Sequence, residues 1–195
     1  MIKKSGLTEE KMSDKRFRRT EEKIFVAVFE EENFPGVSLI SRKTKLSRST
    51  LYRHHRILHN IVFDYEIYVY RKYKKMMKPY LLNRRISLRI LYDTMLCFIL
   101  AEKRIILALT KIKRYVLITN MIKALKERIE LAYHFPKGSR KVFRVFTDEV
   151  IGIIDMWGES GFSRDKIEEV LDDIMYLTET AGVRLSSLKK ENKHN

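Results

Sequence analysis

Arg48, Ser49, Thr50, Arg53 and His54 fall within one seven-residue run. Each carries hydrogen-bonding groups, and both arginines carry a permanent charge. On one short exposed helix such a set suits the major groove of duplex DNA, where guanidinium and hydroxyl groups meet base edges and phosphates. Ser47 stands immediately ahead. Its hydroxyl can accept from an otherwise unpaired N–H one turn in, so a capped helix is predicted to start there. Leu51 would turn inward against Ile40, with Leu46 as a second apolar pin.

Other candidate chemistry is sparse. His55 and His59 have the i, i+4 spacing that brings two imidazoles to one helix face, yet only the distant Asp64 is on hand to complete a metal site. Glu168-Glu169 and Asp172-Asp173 fall on the polar face of an amphipathic run and read as solvated acids. Glycine-rich phosphate loops and His-Glu-x-x-His are absent. No metal, cofactor or enzymatic activity is expected. Cys97 is the one cysteine, which excludes an internal disulfide, and its apolar run predicts a buried small hydrophobe.

The elements that would carry these groups are helical. The 195 residues include only 7 Gly and 3 Pro, too few for a turn-rich β architecture, with 45% apolar and 33% charged residues. Net charge is +15, unevenly spread: residues 1–79 hold 19 Lys/Arg against 10 Asp/Glu. Between Ser38 and His59 there are 6 Lys/Arg and no acid, the footprint of a phosphate-facing surface. The most apolar stretch, Ile86 to Leu109, is broken by five charges, which excludes a membrane span, and Met1–Arg19 is too polar for a secretory signal. A cytoplasmic location is expected.

In chain order, residues 1–19 form a basic leader, predicted flexible. The first helix is predicted over Thr20–Glu32, capped by Thr20 and stopped at Asn33-Phe34-Pro35-Gly36. A second helix follows over Val37–Lys45. A long helix is predicted over Ile57–Met77, with Pro79 as its boundary. Further helices are predicted over Ser87–Leu100, Ile105–Ile112, Tyr115–Phe135 and Lys141–Trp157. A last one is capped by Ser163, and a disordered tail covers 186–195.

Ile40, Leu46, Ser47, Thr50, Leu51, Tyr52 and His54 together resemble the helix-turn-helix of TetR-type transcriptional regulators. Ser41, Thr44-Lys45, His55 and Leu58 depart from it: a small Ala, an Ala-Gly turn, a Phe and a phosphate-contacting Lys are usual there. A long apolar helix, the Trp157-Gly-x-x-Gly-Phe162 break and a second amphipathic helix resemble the end of many such regulators. The resemblance implies an all-α chain: a three-helix DNA-binding domain over 20–61, a linking helix over 62–79 and a larger helical regulatory and dimerisation domain over 80–185.

On that resemblance Arg48, Ser49, Thr50 and His54 would meet bases, while Ser38, Lys43, Lys45, Tyr52 and Arg53 would hold phosphates and Ser47 would cap. His55 would pack where Phe is usual. A ligand cavity lined by Tyr92, Met95, Phe98, Met121 and Phe143 is implied, though a filled core would use the same residues. So is a homodimer joined through Val150, Ile153, Ile154, Trp157, Ile167, Val170, Leu171 and Ile174; the same residues can instead, or as well, close the chain's own core. The expected function is a homodimeric regulator, a repressor, that binds double-stranded DNA and is released by a small-molecule effector. The alternative is a helical adaptor that meets a protein partner or acidic surface through its basic face.

Overall fold

A computed structural model describes residues 7–29, 31, 35–55, 60–132 and 140–191. Among the described residues every regular element is helical, and no helix is long and apolar enough to cross a membrane. The chain divides into two compact units, Met1–Arg71 and Lys72–Asn195. The division falls inside the long helix, between the predicted boundaries at Ile61 and Pro79.

The first unit holds α1 (Glu9–Ser13), α2 (Lys15–Phe29), α3 (Val37–Thr44), α4 (Arg48–His54) and the first half of α5 (Ile61–Leu82). Part of the predicted flexible leader is folded. Leu7 is fully buried, and Thr8 caps α1 by accepting from Lys11 N–H. Asp14 then starts α2: its carboxylate accepts from Phe17 N–H at 2.7 Å. Thr20 is therefore mid-helix, its hydroxyl donating to the Arg16 carbonyl at 3.1 Å rather than capping. The inward face of α2 carries Ile24, Phe25 and Val28, which close a core with Ile40 of α3, Leu51 of α4 and Ile61 and Tyr65 of α5.

Pro79 lies within α5, not at its end. The proline lacks the N–H that would bond the Lys75 carbonyl, but both residues are exposed, so water can take that carbonyl. The predicted start of this helix, with Arg56, Ile57, Leu58 and His59, lies outside the described residues.

The second unit contains α6 (Leu88–Ala101), α7 (Lys103–Lys111), α8 (Val116–Ala124), α9 (Lys126–Ala132), α10 (Arg140–Glu159) and α11 (Ile167–Glu191). Ser87 caps α6. The single helix predicted over Tyr115–Phe135 is two, because the buried Leu125 turns the chain with its N–H on the Ile122 carbonyl. The Pro136–Ser139 turn lies outside the described residues. α11 packs on α10 and on α6, around Leu91, Tyr92, Met95, Val150, Ile154 and Ile174.

The break after α10 is built on two glycines. Gly161 adopts φ +71, a left-handed conformation open to glycine. Gly158 lets the Phe162 ring close in; a Cβ there would sit 3.3 Å from it. Phe162 stacks edge-on against Trp157, whose indole N–H donates to the Ser163 carbonyl at 2.8 Å. Ser163 makes no side-chain cap; it opens a 3₁₀ turn, Arg164–Lys166, ahead of α11. α11 runs on to Glu191, through most of the stretch predicted to be disordered. Cys97, predicted buried, is exposed, its Sγ 3.8 Å from Asp93 Oδ1. Its position on α6 faces away from Met95, Leu96 and Ile99.

Candidate nucleic-acid interface

The α3–α4 junction is held by short-range polar contacts. Lys45 ends α3 in the left-handed region, φ 56, where the resemblance expects glycine. Two hydroxyls compensate: Ser41 donates to the Leu46 carbonyl at 2.6 Å, and Thr44 donates to Ile40 carbonyl while accepting from Leu46 N–H. The departures at Ser41 and Thr44 thus supply the tie that a small-residue turn lacks. Ser47 caps α4, its hydroxyl accepting from Thr50 N–H at 3.1 Å. Leu51 is fully buried beneath.

Eight of the ten predicted DNA-facing residues are exposed: Ser38, Lys43, Lys45, Ser47, Arg48, Ser49, Tyr52 and Arg53. Some hold partners within the unit. Arg48 Nη2 donates to Ser38 Oγ at 2.9 Å, joining a predicted base contact to a predicted phosphate contact. Lys43 pairs with Glu31. Thr50 is half-buried, its hydroxyl 2.9 Å from that of Ser47.

His54 departs from the expectation. Its side chain is only 10% exposed, stacked on the Phe17 ring with centroids 4.3 Å apart, and Nδ1 lies 2.6 Å from Glu21 Oε1. It faces α2 because Glu21 is a buried carboxylate in need of donors.

His55 is also more than the apolar replacement expected for Phe. It is fully buried, Nε2 lying 3.0 Å from Glu21 Oε2 and Nδ1 lying 3.0 Å from Asp64 Oδ2. Ionised carboxylates only accept, so both ring nitrogens donate and the ring is an imidazolium. Burial alone would lower its pKa; the bonds to Asp64 and Glu21 outweigh that and carry it up to about 9. Burial would likewise raise Glu21, but hydrogen bonds from His54, His55 and Tyr65 hold it at about 2. Tyr65 OH lies 2.9 Å from Glu21 Oε2 and 3.0 Å from the Glu21 carbonyl. This cluster was missed in the sequence, although one signal was present. Glu21, Ile24, Phe25 and Val28 follow i, i+3, i+4, i+7, which puts an acid on the apolar face of α2.

In the second unit, Tyr92, Met95 and Met121 are fully buried, and Phe98 and Phe143 nearly so. They fill core: Tyr92 OH meets Thr178 Oγ1 at 3.2 Å, and Phe98 packs edge-on against Tyr73. Phe143 also floors a surface hollow of about 500 Å³ with Thr119, Lys123, Lys126, Arg144, Thr147 and Asp148.

The residues expected at a dimer interface are turned inward. Val150, Ile154 and Ile174 are fully buried, Trp157, Val170 and Leu171 almost so, and Ile153 and Ile167 half-buried. They face the α10–α11–α6 core, so most cannot meet a partner. The outward face carries others: Val145 and Met156 on α10, 58% and 64% exposed, and Tyr176 on α11, 73% exposed. Val145, Glu149, Gly152 and Met156 share one face by spacing. Two of the acids of α11 serve as ion-pair partners: Arg89 bonds Asp172 at 2.7 Å and Glu168 at 3.0 Å. Among the described residues no group of three or more His, Cys, Asp or Glu could hold a metal.

Comparison with protein-family models, with curated proteins and with solved structures finds no match to this chain.

Proposed function

We propose that this protein is a sequence-specific DNA-binding regulator of the TetR type, in which α3, its turn and α4 act as a helix-turn-helix. The observation that supports this most is the Ser47-capped α4, which exposes Arg48, Ser49, Tyr52 and Arg53 on a stretch free of acids. Arg48 can address a guanine edge on release from Ser38, and Ser49 is a second base contact. Lys43, Lys45, Tyr52 and Arg53 hold phosphates. Thr50 supports the cap, and His54 has left the base-contact set.

The proposed working form is a cytoplasmic homodimer that represses, with a small-molecule effector shifting the spacing of its two heads. Its interface would use the outer face of α10 and α11, because among the described residues Val145, Met156 and Tyr176 are the large apolar groups exposed there. Light scattering should give about twice the 23.4 kDa chain mass; a monomer at micromolar concentration would remove the two-headed mechanism.

A second reading, a helical adaptor for a protein or acidic surface, draws on the partners already held by Arg48 and Lys43. Fluorescence anisotropy with a duplex from upstream of the protein's own gene separates the two. A regulator binds tightly and loses about 1–3 kcal/mol on Arg48→Ala. An adaptor binds every duplex weakly and releases it in moderate salt.

A further inference from the structure

α4 has seven residues, and Leu51 is its one fully buried apolar side chain. A single pin fixes where such a helix sits but not how it is rotated about its axis. The next residues along are held differently. His55, the C-cap, is gripped on both ring nitrogens, by Glu21 of α2 and Asp64 of α5. His54 holds the other oxygen of Glu21 and lies flat on Phe17. Tyr65 bonds Glu21 from α5.

Apolar contacts are non-directional, whereas a ring bonded at both ends has one allowed orientation. Buried ionic groups add little net stability over an apolar isostere, but their directionality can select one arrangement. We propose that Glu21 and His55, with Asp64, Tyr65 and His54, are positioning residues that set the rotation of α4 and so decide which side chains reach the duplex. The proposal rests on α4 being the DNA-reading element.

The groups that face His55 are Glu21 from α2, Asp64 and Tyr65 from α5 and His54 beside it on α4. Raising the pH through about 9 removes the proton that holds one of its two bonds. The exposed face of α4 carries none of these groups except the edge of His54, so the grip and the reading surface can be varied separately.

The test uses the full chain and two variants, Glu21→Gln and the milder Tyr65→Phe, each checked for retained helix by circular dichroism. At neutral pH, ¹⁵N imidazole spectra should show His55 protonated at both nitrogens. Amide exchange over 48–54 should rise about tenfold in Glu21→Gln relative to 37–44, the change expected when a hydrogen bond to a charged group is lost. The preference for a duplex selected from a random pool by the unaltered protein, over a random-sequence duplex, should fall by about the same factor. Binding to the random duplex should fall by a smaller factor, because Lys43 and Lys45 hold phosphates from outside α4.

A neutral His55, or α4 exchange within about twofold of the unaltered protein, overturns the proposal. So does faster α4 exchange with an undiminished duplex preference, which would make the cluster structural only. If the unaltered protein selects no duplex, the DNA reading fails, and exchange with the imidazole spectra still decides whether the cluster holds α4.

Discussion

The two units bury their helices by different means. At the C-terminal end of α4 the apolar core carries an ionic cluster: one imidazolium and two carboxylates join three helices, and a tyrosine completes the set. Around α10 and α11 the core is apolar. Its buried polar groups are hydroxyls such as Thr147 and Thr178, each satisfied by a carbonyl one turn back. The ionic cluster is sensitive to pH and to the loss of a member, because a buried charge is then left short of a partner. The apolar core responds to volume and not to protons. The first suits orientation and the second suits bulk stability.

The largest effect expected is that of His55→Leu. It leaves the buried Glu21 and the half-buried Asp64 without their shared cation and should lower the stability of the first unit by about 3–5 kcal/mol, read as amide exchange of α2 and α4. An effect below 1 kcal/mol would show that the charges are not mutually dependent. In the second unit, Ile154→Ala should cost about 2–5 kcal/mol, followed in urea by the fluorescence of Trp157, the one tryptophan. That cost should be indifferent to pH. Equal pH dependence in the two variants would erase the contrast between the cores.

His55 has a folded pKa of about 9 against an ordinary 6.5, so its contribution is complete below about 6.5 and is lost as pH rises through 9. Glu21 has a folded value of about 2 against 4.5, so its contribution holds above about 4.5 and fades as pH falls toward 2. The first unit should therefore be most stable between these limits. An α4 exchange rate that is flat from neutral pH to about 10, after correction for intrinsic exchange, would contradict the assignment.

How much of this was legible depended on the range of each interaction. The all-helical fold followed from few glycines and prolines and from apolar periodicity. The Ser47 cap was legible because it spans only three residues. The ties from Glu21 to His54 and His55 span 33 and 34 residues, and the one local sign was an acid on the apolar face of α2, which names no partner. The start of α2 was misplaced because Asp14 caps a turn with little apolar periodicity. The inward and outward faces of α10 and α11 were confused because both carry apolar residues; burial by a third helix, α6, decides between them.

Smaller effects probe the turn and the surface. Lys45→Gly relieves a left-handed non-glycine residue and should stabilise the first unit by up to about 1 kcal/mol, while removing one phosphate contact and shallowing the salt dependence of DNA binding. A loss of stability would mean that the Lys45 side chain supports the turn. Arg89→Ala breaks only an exposed fork and should change stability by less than about 1 kcal/mol in thermal unfolding.

The most direct measurement for the central claim is selection of duplexes from a random pool by the full chain. A dimeric DNA reader should recover a near-palindrome with half-sites about one helical turn apart, one for each α4. Recovery of a pool with no sequence preference, at a salt where the protein still binds, would contradict it.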